Sequence, residues 1–109
     1  MKNPVVYFEI PVTDLQRAIQ FYQTIFGFTF ETELMDGNEM AYFPFFEEQS
    51  GITGALVKGE IYIPTINGAL IYFAVEEIEE ILNRAVQQGA TVLYPRFFCG
   101  NKSRIKRWV

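Results

Sequence analysis

The hydrophobic and polar positions of residues 5–30 recur in residues 69–94, so one pattern is written twice along the chain. Each copy has an apolar run, an acidic turn, apolar residues at helical spacing, a glycine and a second apolar run. This is the pattern of a strand, an amphipathic helix and another strand. The spacing of about 63 residues exceeds that of solenoid repeats. The pattern therefore predicts one α+β domain over residues 1–109, built from a module at 4–66 and a second module at 68–109.

The first predicted strand, residues 5–12, is apolar on both faces, as expected of a strand whose one side is covered by helices. Successive side chains of a strand point to opposite faces. We therefore expect Phe8 and Ile10 to pack against the helices, with Tyr7 and Glu9 on the opposite face.

Capping and turn signals predict the other elements. Thr13 and Gln16 form a T-x-x-Q capping box, which opens a helix at Asp14. Gly27 is expected to end that helix, and Asp36-Gly37-Asn38 predicts a hairpin turn. The first module is predicted to contain a helix over 14–26 and further strands over 28–34, 39–45 and 52–57. The second module is predicted to contain a strand over 69–75, a helix over 76–88 and a strand over 91–95. The stripe predicted to be buried on the second helix is Ile78, Ile81, Leu82, Ala85 and Val86.

Composition favours a folded protein with a single core. Half of the 109 residues are hydrophobic and 17% are aromatic, with 11 Phe and 6 Tyr, which is far from the composition of a disordered chain. The single cysteine, Cys99, excludes an internal disulfide. No stretch has the pattern of a signal peptide or reaches the roughly 20 apolar residues of a membrane span. We therefore expect a cytoplasmic protein that has no membrane partner.

Charge is divided unevenly along the chain. Residues 1–95 contain all 13 acidic residues and four basic ones, a net charge of −9, whereas residues 96–109 contain five basic residues and no acid. Clustered Lys and Arg are typical of nucleic-acid contacts, but the acidic body would repel a polyanion. We therefore expect no nucleic acid partner. The alternatives are a basic segment that folds over the acidic body, or a terminus altered relative to those of related proteins.

The sequence YFEIPVTDLQRAIQFYQTIFGF, followed by NGALIYFAVEEIEEILNRAVQQGATVLYP, resembles the vicinal oxygen chelate superfamily over residues 4–95. That superfamily includes glyoxalase I, extradiol dioxygenases and the bleomycin- and fosfomycin-resistance proteins. The resemblance implies that each module is a βαβββ unit and that two modules curl into a cup-shaped mixed sheet. The helices then lie outside the cup and the ligand inside it. Members commonly pair, so the resemblance also implies a homodimer.

The metal-dependent members place His, Glu or Gln ligands on the floor of the cup. The resemblance puts the corresponding positions at Tyr7, at Leu70 and near Gly54. These side chains do not supply the imidazole or carboxylate donors of divalent catalytic sites. The chain has no histidine, and Glu9 is the one carboxylate that strand parity places well. We therefore expect no metal and no other cofactor.

The remaining residues of the implied cup are mostly apolar, with a few hydroxyls and one carboxylate, the usual composition of a small-molecule pocket. The expected ligand-binding residues are Tyr7, Glu9, Tyr42, Leu56, Leu70 and Tyr72, with Met40 in place of Tyr42 and Ile52 in place of Leu56 if the register differs. Glu9 is also the candidate catalytic residue, as a general base, or else an anchor for a cationic ligand. The alternative is a structural carboxylate that accepts hydrogen bonds from Tyr7 or Tyr72, or that lies exposed at the rim.

The second module is short. After its second strand only residues 96–109 remain, less than half the length that the first module uses for its last two strands. One side of the cup is therefore expected to lack strands, and an exposed strand edge favours pairing with a second copy. Three functions stay open: a metal-free binder of a small, partly apolar molecule, a metal-dependent lyase or dioxygenase, and a dimerisation module without a ligand. The residues do not decide whether the protein is an enzyme.

Overall fold

The computed structural model describes residues 2–49, 51–65 and 67–91, together with the backbone of two short strands at 98–99 and 102–104. The helices are α1 (Leu15–Phe26) and α2 (Ile78–Gln87). The strands are β1 (Tyr7–Pro11), β2 (Glu31–Met35), β3 (Asn38–Tyr42), β4 (Thr53–Lys58), β5 (Tyr72–Ala74), β6 (Phe98–Cys99) and β7 (Lys102–Arg104).

Four strands form a mixed sheet in the order β1-β4-β3-β2. β1 runs parallel to β4, whereas β2 and β3, and β3 and β4, are antiparallel neighbours. β5, β7 and β6 form a second, antiparallel sheet. The predicted α+β class with a mixed sheet is therefore confirmed. The described strands lie in two sheets, so the duplication and the closure into one cup stay predictions.

Helix α1 begins one residue later than the sequence predicts. Its N-cap is Asp14, which has an extended backbone and whose carboxylate accepts the backbone N–H of Arg17 at 3.1 Å. The prediction that Thr13 and Gln16 form the cap is therefore wrong. A carboxylate interacts more favourably than a hydroxyl with the positive end of the helix dipole, which explains the preference for Asp14. Gly27 ends the helix as predicted, at φ 79°.

β2 and β3 form the predicted hairpin through the two-residue turn Asp36-Gly37, in which both residues have positive φ (52° and 81°). Glycine adopts this conformation without steric cost, and aspartate tolerates it better than most residues do. β2 begins at Glu31, later than predicted. Just before it, the backbone N–H of Phe30 donates to the side chain of Gln23 at 3.4 Å instead of joining a strand ladder.

The main core lies between α1 and one face of the four-stranded sheet. Its buried members are Val12, Leu15, Ala18, Ile19, Phe21, Tyr22, Ile25, Ala41, Phe43, Leu56 and Ala85. Phe8 and Ile10 pack against this core, which confirms the predicted side of β1. The opposite side of the sheet is thereby left for other contacts.

Helix α2 packs against α1. Ala85 is buried in the main core, Ile81 packs against it, and the Arg84 guanidinium donates to the carbonyl of Ile25 at 3.0 Å. Val86, predicted to be buried, is 50% exposed. That part of the prediction is wrong because Val86 follows Ala85 directly and so points about 100° away around the helix.

The C-terminal segment is described only in part. The predicted strand at 91–95 lies outside the described residues apart from Thr91. β6 and β7 pair with each other, and β7 pairs with β5. Among the described residues, no helix is long and apolar enough to cross a membrane.

Candidate functional site

The two faces of the four-stranded sheet bury different residues. Ala41 and Leu56 belong to the main core beneath α1, whereas their chain neighbours Met40, Ala55 and Val57 form a second cluster. Neighbouring residues of a strand face opposite sides, so the second cluster lies on the side remote from α1. We call this side the open face. By register, its strand positions are Tyr7, Glu9, Pro11, Glu31, Glu33, Met35, Asn38, Met40, Tyr42, Thr53, Ala55 and Val57.

The centre of the open face is an apolar floor. Ala55 and Val57 are fully buried and Met40 is 5% exposed. The rings of Tyr42 and Tyr62 pack against these three side chains. The two rings therefore cover the floor, and an apolar molecule on this face would contact the rings rather than the floor itself.

Glu9 accepts a hydrogen bond on each of its carboxylate oxygens. The Tyr7 phenol donates to Oε2 at 3.1 Å, and the Tyr62 phenol donates to Oε1 at 3.0 Å. Tyr7 and Glu9 are two residues apart on β1 and so share a face, whereas Tyr62 lies in the segment that follows β4. The carboxylate is thus oriented by donors from two separate parts of the chain.

A second phenol–carboxylate pair lies on the other half of the open face. Tyr42 of β3 donates to Oε2 of Glu33 at 2.7 Å, and its oxygen lies 3.7 Å from the sulfur of Met40. Glu33 of β2 is directly opposite Met40 in the ladder, which brings it to the border of the floor. The open face therefore has an apolar centre with phenols and carboxylates around it.

The three phenols on this face hold their protons more tightly than a free tyrosine does. Burial, followed by the hydrogen bond to Glu9, raises the pKa of Tyr7 to about 12. The hydrogen bond to Glu9 raises the pKa of Tyr62, and the hydrogen bond to Glu33 raises that of Tyr42. At neutral pH all three are therefore uncharged hydrogen-bond donors.

The structure brings together only part of the predicted site. Tyr7, Glu9 and Tyr42 meet on the open face, as predicted. Leu56 does not, because it lies opposite Ala41 in the ladder and is fully buried beneath α1. Its assignment to the ligand side is corrected, and Ala55 and Val57 occupy that side of β4 instead.

Leu70 and Tyr72 lie outside the four-stranded sheet. Leu70 precedes β5, and Tyr72 is the first residue of β5, in the three-stranded sheet. Both side chains are partly exposed. Of the two tyrosines proposed to donate to Glu9, the structure shows Tyr7 in that role.

Sequence reasoning missed Tyr62. The chain turns back after β4, where the backbone N–H of Tyr62 donates to the carbonyl of Gly59 at 3.1 Å. A Cβ atom at Gly59 would overlap the side-chain oxygen of Asn38, which would have to rotate away. Gly59 was the one local signal of the turn, and nothing local indicated that a phenol 53 positions away would reach Glu9.

The donors at the expected metal-ligand positions do not fit a divalent transition metal. Tyr7 lies on the open face, but a side chain at Gly54 would point towards Phe8 on the helix side, and Leu70 precedes β5, outside the four-stranded sheet. The β4 residues that do face the open side are Thr53, Ala55 and Val57. Within the part of the chain that the structure describes, no group of three or more His, Cys, Asp or Glu is placed to hold a metal ion.

A shallow cavity of about 440 Å³ adjoins the open face where β1 and β4 end. It is lined by Val12, Thr13, Gly37, Glu39, Lys58, Gly59, Glu60, Tyr62, Ile63 and Pro64. Lys58 and Glu39 form an ion pair at its rim, at 3.6 Å. Tyr62 therefore has a polar contact on the open face and also lines this cavity.

Replacement of Glu9 by glutamine should change the pKa values of the three tyrosines by unequal amounts. An alkaline titration followed by tyrosinate absorbance or tyrosine NMR measures these changes. The pKa of Tyr62 should fall most, because the hydrogen bond to Glu9 is the main reason that this pKa is raised. The pKa of Tyr7 should fall less, because burial raises it more than the hydrogen bond to Glu9 does. A phenol with a raised pKa stabilises the fold fully below its unfolded value of about 10. For Tyr7 this contribution is lost as the pH rises towards about 12. Glu33→Gln is the matched control and should act mainly on Tyr42; equal shifts of all three tyrosines in either variant would contradict the described pairing.

The fold and the sequence together place the chain in a known family. It belongs to the Glyoxalase/Bleomycin resistance protein/Dioxygenase superfamily, whose sequence model matches residues 5–104. This confirms the resemblance noted from the sequence. No curated protein and no solved structure matches the chain at a significant level.

Proposed function

We propose that this protein binds a small, partly apolar molecule on the open face of its four-stranded sheet, without a metal ion. The observation that carries the proposal is the group of at least partly exposed phenol rings on this face, those of Tyr7, Tyr42 and Tyr62, which stand beside the oriented carboxylates of Glu9 and Glu33. Binding sites for small molecules are typically apolar surfaces with a few fixed polar groups. The open face has this composition, and the superfamily commonly binds small molecules.

Within this proposal Glu9 is an anchor for the ligand. Its two oxygens are held by Tyr7 and Tyr62, so the carboxylate is oriented before a ligand arrives, which lowers the entropic cost of binding. A general base would also have to reach the proton that it removes, and the substrate that would define this geometry is not identified. We therefore place binding ahead of catalysis by a lyase or dioxygenase.

Screening by thermal shift tests the proposal. We expect some small aromatic or branched aliphatic compounds to raise the melting temperature, because a ligand that binds only the folded state stabilises it. Glu9→Gln should weaken binding of such a compound while leaving the melting temperature of the free protein nearly unchanged. Glu48→Gln, which removes the same charge from an exposed position in the loop after β3, is the control and should leave binding intact.

Two results would count against this assignment. If Glu9→Gln unfolds the protein without weakening binding under permissive conditions, Glu9 is structural. If elemental analysis finds near-stoichiometric zinc, nickel or manganese that is lost in Glu9→Gln, the metal-free proposal is wrong and a metal-dependent lyase or dioxygenase is favoured. Our expected result is less than a tenth of an equivalent of these metals, since catalytic sites of this kind use several nitrogen or carboxylate donors.

We also propose that the protein forms a homodimer. Large apolar side chains are exposed at the end of the sheet where β1 and β4 begin and β3 ends: Val5, Val6, Phe45, Phe46 and Ile52. Apolar surface grouped in this way favours association. Sedimentation at tens of micromolar should show a dimer, and Phe46→Glu should shift it towards the monomer. Ile61→Glu, at an exposed position after β4, is the control; a wild-type protein that stays monomeric at every concentration would refute the dimer.

A further inference from the structure

Tyr62 is shared by the apolar floor and the cavity beside it. Its ring packs against the cluster of Met40, Ala55 and Val57 on the open face. The same residue lines the cavity of about 440 Å³ where β1 and β4 end. Empty space therefore adjoins one of the two residues whose rings cover the floor.

Few polar contacts hold Tyr62 in place. Among the described residues, the stretch 60–64 makes two hydrogen bonds: a local turn bond from the Tyr62 backbone N–H, and the bond from its phenol to Oε1 of Glu9 at 3.0 Å. Ile61 and Ile63, on either side of Tyr62, are both exposed. The Tyr62 side chain is therefore the part of this stretch that fastens it to the open face.

Tyr42, whose ring also covers the floor, is held more firmly. It is the last residue of β3 and belongs to two ladders, in which it lies opposite Glu31 of β2 and Ala55 of β4. Its phenol donates to Glu33, which is also a strand residue. Tyr62 follows β4 and belongs to neither sheet, so its backbone is not held by a ladder.

Displacement of Tyr62 would leave Glu9 oriented. The Tyr7 phenol donates to Oε2 at 3.1 Å, whereas the Tyr62 phenol donates to Oε1. Without the bond from Tyr62, Oε1 is an open acceptor beside the uncovered floor, on a carboxylate that Tyr7 still holds. An apolar surface next to one oriented acceptor suits a small, partly apolar molecule that has a hydrogen-bond donor.

We propose that Tyr62 is a gate. Its ring moves from the open face into the adjoining cavity, so that the floor and the cavity become one pocket for the apolar part of the ligand. Oε1 of Glu9 then accepts the donor of the ligand in place of the Tyr62 phenol, and the bond between Tyr62 and Glu9 keeps the gate closed until then. The part of this inference that concerns the ligand rests on the proposed function, since it describes how the same face receives its molecule.

Labelling of a thiol placed in the floor measures how readily the gate opens. Ala55→Cys puts the thiol in the floor, and Ala41→Cys makes the same change at an equally buried position beneath α1. Both are made together with Cys99→Ser, which removes the chain's own thiol. Iodoacetamide is itself a small molecule and reacts only with an accessible thiol. Mass spectrometry follows the reaction at increasing concentrations of urea.

We expect Ala55→Cys to react faster than Ala41→Cys without urea, and its rate to depend little on urea, because opening the gate exposes little surface. The rate of Ala41→Cys should rise steeply with urea, because this thiol is reached by unfolding. Tyr62→Phe keeps the ring and removes the phenol bond. It should accelerate labelling of Ala55→Cys about tenfold, the fold-change that corresponds to one hydrogen bond to a charged group.

Tyr42→Phe identifies which ring moves. The bond between Tyr42 and Glu33 stays intact when the gate opens, so its loss destabilises the closed and open arrangements equally. Labelling of Ala55→Cys should therefore stay within about twofold of its original rate. Labelling of Ala41→Cys should be accelerated by this variant, because unfolding does break the bond to Glu33.

Two results would overturn the gate. One is an equal rate with equal urea dependence at Ala55→Cys and Ala41→Cys, which would show that the floor is reached only by unfolding. The other is a rate at Ala55→Cys that Tyr42→Phe raises as much as Tyr62→Phe does.

Failure of the gate and failure of the proposed function give different results. If labelling shows the gate but no compound in the thermal-shift screen binds, the gate stands and the proposed function is wrong. If a compound binds but labelling shows no gate, binding to the closed face stands and the gate is wrong. Val57→Cys and Leu56→Cys, at fully buried neighbouring positions on opposite faces, repeat the comparison if the alanine positions do not tolerate cysteine.

Discussion

Replacing Phe43 with alanine should lower the free energy of unfolding by about 3–5 kcal/mol, the range typical of a truncated buried phenylalanine. Phe43 is 7% exposed and directly follows β3. Its ring centroid lies 4.8–6.0 Å from those of Phe8, Tyr22, Phe28, Phe30 and Phe73. These rings come from β1, α1, the segment after α1 and β5, so the truncation would leave a cavity where α1 and strands of both sheets meet.

Leu34→Ala is the control for this prediction, since it truncates a large apolar side chain of β2 that is 73% exposed and lies outside the surface proposed for dimerisation. It should cost less than about 1 kcal/mol, as surface substitutions do. Denaturant unfolding followed by circular dichroism measures both. Equal losses in the two variants would contradict the central position of Phe43 in the core.

Gly54→Ala should destabilise the protein by about 3 kcal/mol or more, at the upper end of the cost of overpacking. Gly54 of β4 lies directly opposite Phe8 of β1 in the parallel ladder. A Cβ atom at Gly54 would overlap the carbonyl oxygen of Phe8 and lie 2.7 Å from Cγ of its ring. The ring can rotate away, but the carbonyl can retreat only if β1 moves away from β4.

A double variant and a substitution at a second glycine test whether the loss of stability comes from the clash with the β1 backbone. Phe8→Ala combined with Gly54→Ala should not restore stability, because the nearest obstacle is backbone and remains. Gly37→Ala should cost only about 1–2 kcal/mol, the steric penalty of a left-handed alanine, since no atom lies within 4 Å of a Cβ there. A Gly54→Ala protein as stable as the wild type would show that β1 and β4 are further apart than described.

The features that could be predicted from the sequence depend on local chemistry. Gly27 and the Asp36-Gly37 turn were predicted because their backbone conformations are tolerated by few residue types. The sides of Phe8 and Glu9 were predicted because alternation along a strand follows from its geometry. The cap of α1 was misplaced by one residue because Thr13 and Asp14 are adjacent and both residue types favour the N-cap position. The local sequence does not show which of the two adopts it.

The residues of the open face could not be predicted from the local hydrophobic pattern of the sequence. Ala55, Leu56 and Val57 are all apolar and all fully buried, so hydrophobicity does not reveal which of them turns away from α1. The ladder decides it, because Ala41 must lie opposite Leu56 for both to reach the main core. A shift of one residue would exchange the two faces of β4.

The sequence by itself determined the α+β class, the family, the helix-facing side of β1 and the position of Glu9, because each follows from periodicity, turn chemistry or residue type along a short stretch. Only the tertiary structure decided that Tyr62 shares Glu9 with Tyr7, that Tyr42 bonds Glu33, and that Met40, Ala55 and Val57 form the floor between them. Those contacts join positions up to 53 residues apart. They exist because strand register and the turn after β4 bring distant side chains together, and neither is encoded in any single stretch of the chain.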